Sequence, residues 1–242
     1  MKKWSILLAA LIVLGAGMVT TSFAAITVEG DVYAGVFDKY LWRGFDLSDG
    51  RPVVQAGADL TSGNFTLSYW TNWQLKSSND IPSGEANETD IIIDYSRDLG
   101  DMVSISVGNI WYALDGLEDT NELYLSATVN TLLAPTFSVY YDWDACEEDG
   151  LLFAADISHS FDLSEELSLS LGVLVTYNDH SDYAVGDYAG FHNYELSVGL
   201  DYVLTDQLSV SPSFVYSSGI SSAAKDAIDS EMLAGVNLTF TF

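Results

Sequence analysis

The sequence predicts an all-β chain folded as a transmembrane antiparallel β-barrel of twelve strands. Three observations predict it: apolar residues recur with period two from residue 26 to residue 242, connections are alternately tight and long, and aromatic residues gather at the strand ends.

The alternation is clearest where Leu167, Leu169, Leu171, Val173, Val175 and Tyr177 are separated by Ser168, Ser170, Gly172 and Thr176, giving one apolar face and one small or polar face. The same reading places strands over 26–37, 52–61, 65–75, 89–97, 102–112, 121–131, 136–143, 151–161, 167–177, 193–203, 208–217 and 231–242. Most span the ~9–11 residues that a tilted strand needs to cross a bilayer. Tight links follow the even strands: 62–64, 98–101, 132–135, 162–166 and 204–207. Longer polar links follow the odd ones: 38–51, 76–88, 113–120, 144–150, 178–192 and 218–230. An even strand number with short turns on one side and long loops on the other is the pattern of a bacterial outer-membrane barrel. Pro212 falls inside a strand, lacks a backbone donor and has no free edge to occupy, so a bulge is expected there.

Residues 1–24 read as a cleaved signal peptide. Lys2 and Lys3 give the positive start, Ile6 to Val13 the apolar stretch, and Ser22-Phe23-Ala24 the small-x-small cleavage pattern. Residues 25–242 then form the barrel. Lys2 and Lys3 leave with the leader and no acid does, so the formal net charge moves from −27 to −29. Such acidity excludes a nucleic-acid partner, since no basic face is available to neutralise phosphates. One cysteine excludes an internal disulfide, and 48% hydrophobic residues exclude a disordered acidic tail.

Two features separate a membrane barrel from a soluble sandwich or lipocalin-like barrel. One face of the strands is Leu, Val, Ile and Phe, while the other is largely Ser, Thr, Gly, Asn and Asp, which suits a watery lumen rather than a dry core. The aromatics also form two girdles. Trp42, Trp70, Trp73, Trp111, Trp143, Tyr177 and Tyr216 are expected on the long-loop side, and Phe65, Tyr95, Phe137, Phe161, Tyr202, Phe240 and Phe242 on the turn side. The terminal Phe242 closes an alternating strand and resembles the signal by which outer-membrane barrels engage their assembly machinery.

If the apolar face meets lipid, the inward positions include Glu29, Asp31, Asp59, Asp90, Asp94, Glu122, Asp142, Asp156, Glu195 and Asp201, with no Lys or Arg on the strands opposite them. Glu122 is expected to be a solvated rim residue, and the other nine to line the pore. Carboxylate rings select cations. The expected function is passive diffusion of small cationic or neutral solutes through a narrow, acidic channel. A structural or adhesive barrel with acidic ligand-binding loops, and an outer-membrane hydrolase, are the alternatives.

The catalytic alternative fares poorly on residues. None of His159, His180 and His192 has a Ser two positions away to share its face, as a lipid-facing nucleophile and base require. Asp179, His180, Asp182 and Asp187 imitate a rim protease only loosely, and His159 reads as a girdle residue. No enzyme, no cofactor and no dedicated metal site is expected. Glu147-Glu148-Asp149 and Asp115, Glu118 and Asp119 lack calcium-loop spacing and read as loops that divalent ions bridge to lipopolysaccharide. Cys146 reads as a free surface thiol. The expected partners are therefore outer-membrane lipid, lipopolysaccharide and the barrel assembly machinery.

The segment from Tyr40 to Gln55 carries a motif in which Trp42-Arg43-Gly44, a spaced Ser48, Pro52 and Gln55 match. It resembles the TorF-like family of porins of Gram-negative bacteria, and the resemblance implies an outer-membrane channel without catalytic residues. Lys39, Arg43 and Arg51 are concentrated in this loop. The expectation is that Arg43, with Arg51, turns back into the acidic lumen, docks on Asp90 or Asp94 and narrows the pore, with Gly44 and Gly50 supplying the turns.

Overall fold

The computed structural model describes residues 27–77, 82–146 and 150–242. The expected leader and Glu147-Glu148-Asp149 lie outside the described residues. Fourteen strands follow in order: β1 (Glu29–Phe37), β2 (Leu41–Trp42), β3 (Phe45–Asp46), β4 (Val53–Ser62), β5 (Phe65–Gln74), β6 (Ala86–Leu99), β7 (Val103–Leu114), β8 (Thr120–Val129), β9 (Thr136–Asp142), β10 (Leu151–Asp162), β11 (Leu167–Asp179), β12 (Ala189–Thr205), β13 (Leu208–Gly219) and β14 (Glu231–Thr241). Among the described residues one short helix, α1 (Ser222–Ala227), sits in the last long loop.

Twelve of these strands, all but β2 and β3, close into an antiparallel barrel in which each pairs with its sequence neighbours and β1 closes on β14. The seam runs from Asp31 opposite Thr241 to Phe37 opposite Gly235. Gly30 and Phe242 exchange backbone hydrogen bonds at 3.0 and 2.9 Å beyond it. The ends of β6 and β12 extend past their expected limits, because the ladder continues into the long loops.

The period-two pattern divides the faces as expected. Val32, Leu67, Ile93, Leu125, Val173, Leu196 and Leu238 are exposed on the outer face. Phe65, Phe137, Phe161, Tyr202, Phe240 and Phe242 are exposed at the tight-turn end, and Trp73, Trp111, Trp143 and Tyr177 at the long-loop end. His159 belongs to the turn-side group, packed edge-on against Phe161 at 4.4 Å.

Two expected girdle residues are not in the girdle. Trp70 pairs across the ladder with Asp90 and touches Tyr40 of the first loop at 5.5 Å, so it points inward. Trp42 lies on β2 and packs at 6.0 Å against Tyr112. Alternation with exposed Leu67, Tyr69 and Trp73 turns Trp70 inward, and the inward fold of the first loop carries Trp42 inside.

Pro212 also departs from expectation. It stays in register opposite Val236. On its other side the ladder omits the pairs between Gly199↔Ser213 and Tyr202↔Val210 but keeps the same register across the gap, and the shift falls at Val203/Thr205 instead. Dropping a bond locally preserves the inward and outward sets, whereas an inserted residue at mid-strand exchanges the faces of all that follows.

Candidate functional site

The first long loop, residues 38–52, folds into the barrel as a miniature hairpin. β2 and β3 pair Leu41 with Asp46 and Trp42 with Phe45, and the two residues between them, Arg43 (φ 51°) and Gly44 (φ 85°), are both left-handed. Positive φ at both central positions is the type I′ geometry that a two-residue hairpin favours. A Cβ at Gly44 would stand 2.6 Å from Ile228 Cδ1, so the end of that side chain would have to move, but the positive φ is what calls for glycine here. A second reversal at Asp49-Gly50, also left-handed, is closed by Arg51 N–H donating to Ser48 C=O at 3.1 Å. Fully buried Ser48 ties the loop to itself and to the wall: its hydroxyl accepts from Tyr40 N–H at 2.8 Å, and its carbonyl accepts from Gln74 Nε2 at 3.1 Å.

The hairpin tip delivers Arg43 to Glu122. Both guanidinium nitrogens donate to its carboxylate, Nη1 to Oε1 and Nη2 to Oε2, each at 2.7 Å. Tyr112 donates to Oε2 at 2.8 Å, and Glu122 is only 1% exposed. The guanidinium lies 4.3 Å from the Trp42 ring and 5.1 Å from that of Tyr140. The expected inward turn of Arg43 is present, but its partner is neither Asp90 nor Asp94. Glu122 is correspondingly not a solvated rim residue. It occupies the β8 position beside Tyr112, at the depth a two-residue hairpin tip reaches.

The remaining contacts lock the loop. His192 Nε2 donates to Arg43 C=O at 2.7 Å; in the neutral ring this tautomer leaves Nδ1 to accept from Tyr188 at 2.5 Å. Phe45 stacks on His192 at 5.7 Å. Leu152, Ala184 and Val185 form a buried cluster against Trp42, Phe45, Tyr140 and Tyr188, so the loop between β11 and β12 covers the hairpin. Tyr40 donates to Glu88 at 3.1 Å. Above this plug a cavity of about 610 Å³ opens between the long loops, walled by Tyr40, Trp42, Phe45 and Tyr112 and bearing Glu88 and Glu122.

The other loop cations act differently. Lys39 donates to Glu231 at 2.5 Å and lies 3.8 Å from Asp46; the hydrogen bond to Glu231 holds its ammonium above the ordinary lysine pKa. Arg51 is exposed.

The sequence-predicted acids share one face of the sheet. Asp31 opposes Asp59, Asp59 opposes Ser68, Thr66 opposes Asp94, Asp90 opposes Tyr112, and Glu122 opposes Asp142. Asp156 and Glu195 both oppose Leu174, and Asp201 opposes Ser168. Glu29 is exposed at the turn-side rim. Asp94 accepts from Ser96, Ser106 and Tyr124, Asp201 from Ser211 at 2.6 Å, and Asp31 from Thr241 at 2.5 Å. Tyr124 reaches Asp94 across Gly108, where a Cβ stands 2.5 Å from its hydroxyl. Asp142 is held by Thr120 at 2.7 Å, while Asp142 Oδ2 and Asp90 Oδ1 are buried without a donor.

Sequence reading missed Glu88, Tyr40, Tyr112 and His192 as parts of this site. Glu88 lay one residue before the expected strand start, and its place in the same alternation as Asp90 was the available signal. Cys146 is half-buried, and its thiol donates to Asp182 at 2.6 Å; burial, then that carboxylate, pushes the thiol pKa up. His180 pairs with Asp187 at 2.7 Å on an exposed loop. Among the described residues no group of three or more His, Cys, Asp or Glu is placed to hold a metal ion.

A family model described as "Bacterial protein of unknown function (Gcw_chp)" matches residues 20–240. The chain belongs to the Gcw_chp family. The Gcw_chp barrel resembles the NanC porin with a TM-score of 0.57 at 13% identity, covering 88% of this chain and 100% of that one. It resembles the KdgM porin with a TM-score of 0.56 at 13% identity, covering 88% and 99%. KdgM in complex with disordered oligogalacturonate matches with a TM-score of 0.56 at 12% identity, again covering 88% and 99%. No curated protein matches the chain.

Proposed function

We propose that this Gcw_chp protein is an outer-membrane channel for passive diffusion of small solutes, cation-preferring, narrowed from the long-loop side by its first loop. The observation that carries the reading is the Arg43–Glu122 fork inside a closed twelve-stranded barrel, at 2.7 Å on both arms, in a lumen whose other inward strand acids face no strand Lys or Arg among the described residues. One guanidinium offsets one carboxylate, and the surplus attracts cations. The apolar outer face with aromatics at both ends supports membrane insertion. Phe242 at the seam we read as the assembly signal, and residues 1–24 as the export signal.

The porin likeness supports a channel, as does the TorF-like motif. KdgM was solved with oligogalacturonate, an acidic sugar chain. An acidic lumen disfavours such a ligand here, so the shared fold carries a different preference. An enzymatic reading has less support: His180 with Asp187 lies exposed, and His192 is committed to holding the plug. The test is single-channel recording across a planar bilayer under a potassium chloride gradient. Small-conductance events whose reversal potential favours potassium are expected. Absence of current overturns the channel reading, and an anion-favouring potential overturns the selectivity.

A further inference from the structure

Resting on that channel reading, we propose that Glu122, Tyr112 and Tyr140 form a guanidinium-binding site on the barrel wall. Arg43 occupies it as a tethered ligand, and guanidinium-bearing solutes arriving from the outer cavity displace Arg43 and release the constriction.

Three observations carry this. The wall groups make a complete recognition set for a planar cation. A carboxylate accepts both arms of the fork at 2.7 Å, a phenol holds that carboxylate at 2.8 Å, and an aromatic face lies 5.1 Å from the guanidinium carbon. Fork geometry and stacking favour guanidinium over ammonium, which is a hydrated point charge. The second observation is access. Glu122 and Tyr112 also line the cavity of about 610 Å³ above the plug, which falls within the range of about 300–1,000 Å³ typical of small-ligand pockets. Glu88 lines the same cavity and offers a second carboxylate for a solute with two cationic ends. The third is that Arg43 holds its position at a cost. Its φ of 51° is left-handed, a region that L residues other than glycine adopt under strain. A free solute reaches Glu122 without that strain, so it competes although Arg43 is tethered.

The test compares methylguanidinium with methylammonium at equal ionic strength. Applied to wild-type protein in a bilayer from the long-loop side, methylguanidinium is expected to raise single-channel current and methylammonium to leave it unchanged. In calorimetry on folded Arg43→Ala protein in nonionic detergent, methylguanidinium is expected to bind saturably and about tenfold or more tightly than methylammonium, and the further change Glu122→Gln is expected to abolish the difference. Equal responses to the two cations, or discrimination that survives Glu122→Gln, overturn the proposal. If Arg43→Ala does not fold, the wild-type recording decides. Binding through Glu122 without any channel current leaves the site standing and removes the channel reading; current without discrimination does the reverse.

Discussion

The two halves of the lumen hold their carboxylates in different ways. In the long-loop half, Glu122 is paired with Arg43 and Tyr112, Glu88 accepts from Tyr40, and both acids are buried against the aromatic plug, on the wall of the cavity above it. In the tight-turn half, Asp31, Asp94 and Asp201 accept from Thr241, from Ser96, Ser106 and Tyr124, and from Ser211, and all three remain partly exposed. Hydroxyls orient a carboxylate without neutralising it, whereas a guanidinium does both. Under the proposed channel reading, this difference corresponds to restriction in the outer half and charge selection in the inner half.

The largest expected effect comes from breaking the outer half. Arg43→Ala leaves Glu122 buried without its partner, a change that costs about 3–5 kcal/mol. Heat-modifiability on gels should fall to a lower temperature. The surviving channels should conduct about twofold or more above wild type, because the constriction has lost its anchor. Wild-type conductance in the variant removes the contrast between the halves.

A smaller effect is expected from the inner half. Asp94→Asn should lower the cation-to-anion permeability ratio about 1.5-fold, with conductance nearly unchanged, since it removes one of many inward charges and no barrier. Its stability cost should be about 1 kcal/mol, reflecting the weakened bonds from three hydroxyls. A large conductance change in this variant shows that restriction extends through both halves.

Cys146 tests which way the plugged half faces. A membrane-impermeant maleimide should label it on intact cells, but more slowly than an unhindered cysteine, because the thiol is half-buried and bonded to Asp182. Its raised pKa means that the reactive thiolate is depleted at neutral pH. The labelling rate should keep climbing as pH passes above the ordinary thiol value of about 8.5. Asp182→Ala should speed labelling. Labelling only after the outer membrane is broken inverts the orientation.

The smallest effect is expected at Arg51. It shares the first loop with Arg43 but is exposed, so Arg51→Ala should shift stability by no more than about ±0.5 kcal/mol and leave conductance unchanged. A conductance change as large as that of Arg43→Ala shows instead that loop charge as a whole, and not the Glu122 contact, sets the restriction.

The sequence by itself determined the twelve strands, their up-and-down order and the division of each strand into two faces. A side-chain period of two permits only one assignment of faces once the apolar set is known, and the turn lengths leave nearest-neighbour pairing as the simple closure. It also placed Arg43-Gly44 at a reversal, because glycine marks positions of positive φ. Only the tertiary structure decided where that reversal lands. Nothing local in the chain distinguishes Glu122 from Asp90 or Asp94 as a partner, since all three share one face and differ only in depth and stagger around the barrel. Trp42 and Trp70 divide along the same line: alternation with Leu67, Tyr69 and Trp73 already puts Trp70 on the inner face, whereas Trp42 meets the plug only because its loop folds inward over long sequence distance. Local periodicity sets faces and turns. The choice among equivalent carboxylates is set by closure, which brings residues 79 positions apart to within 2.7 Å.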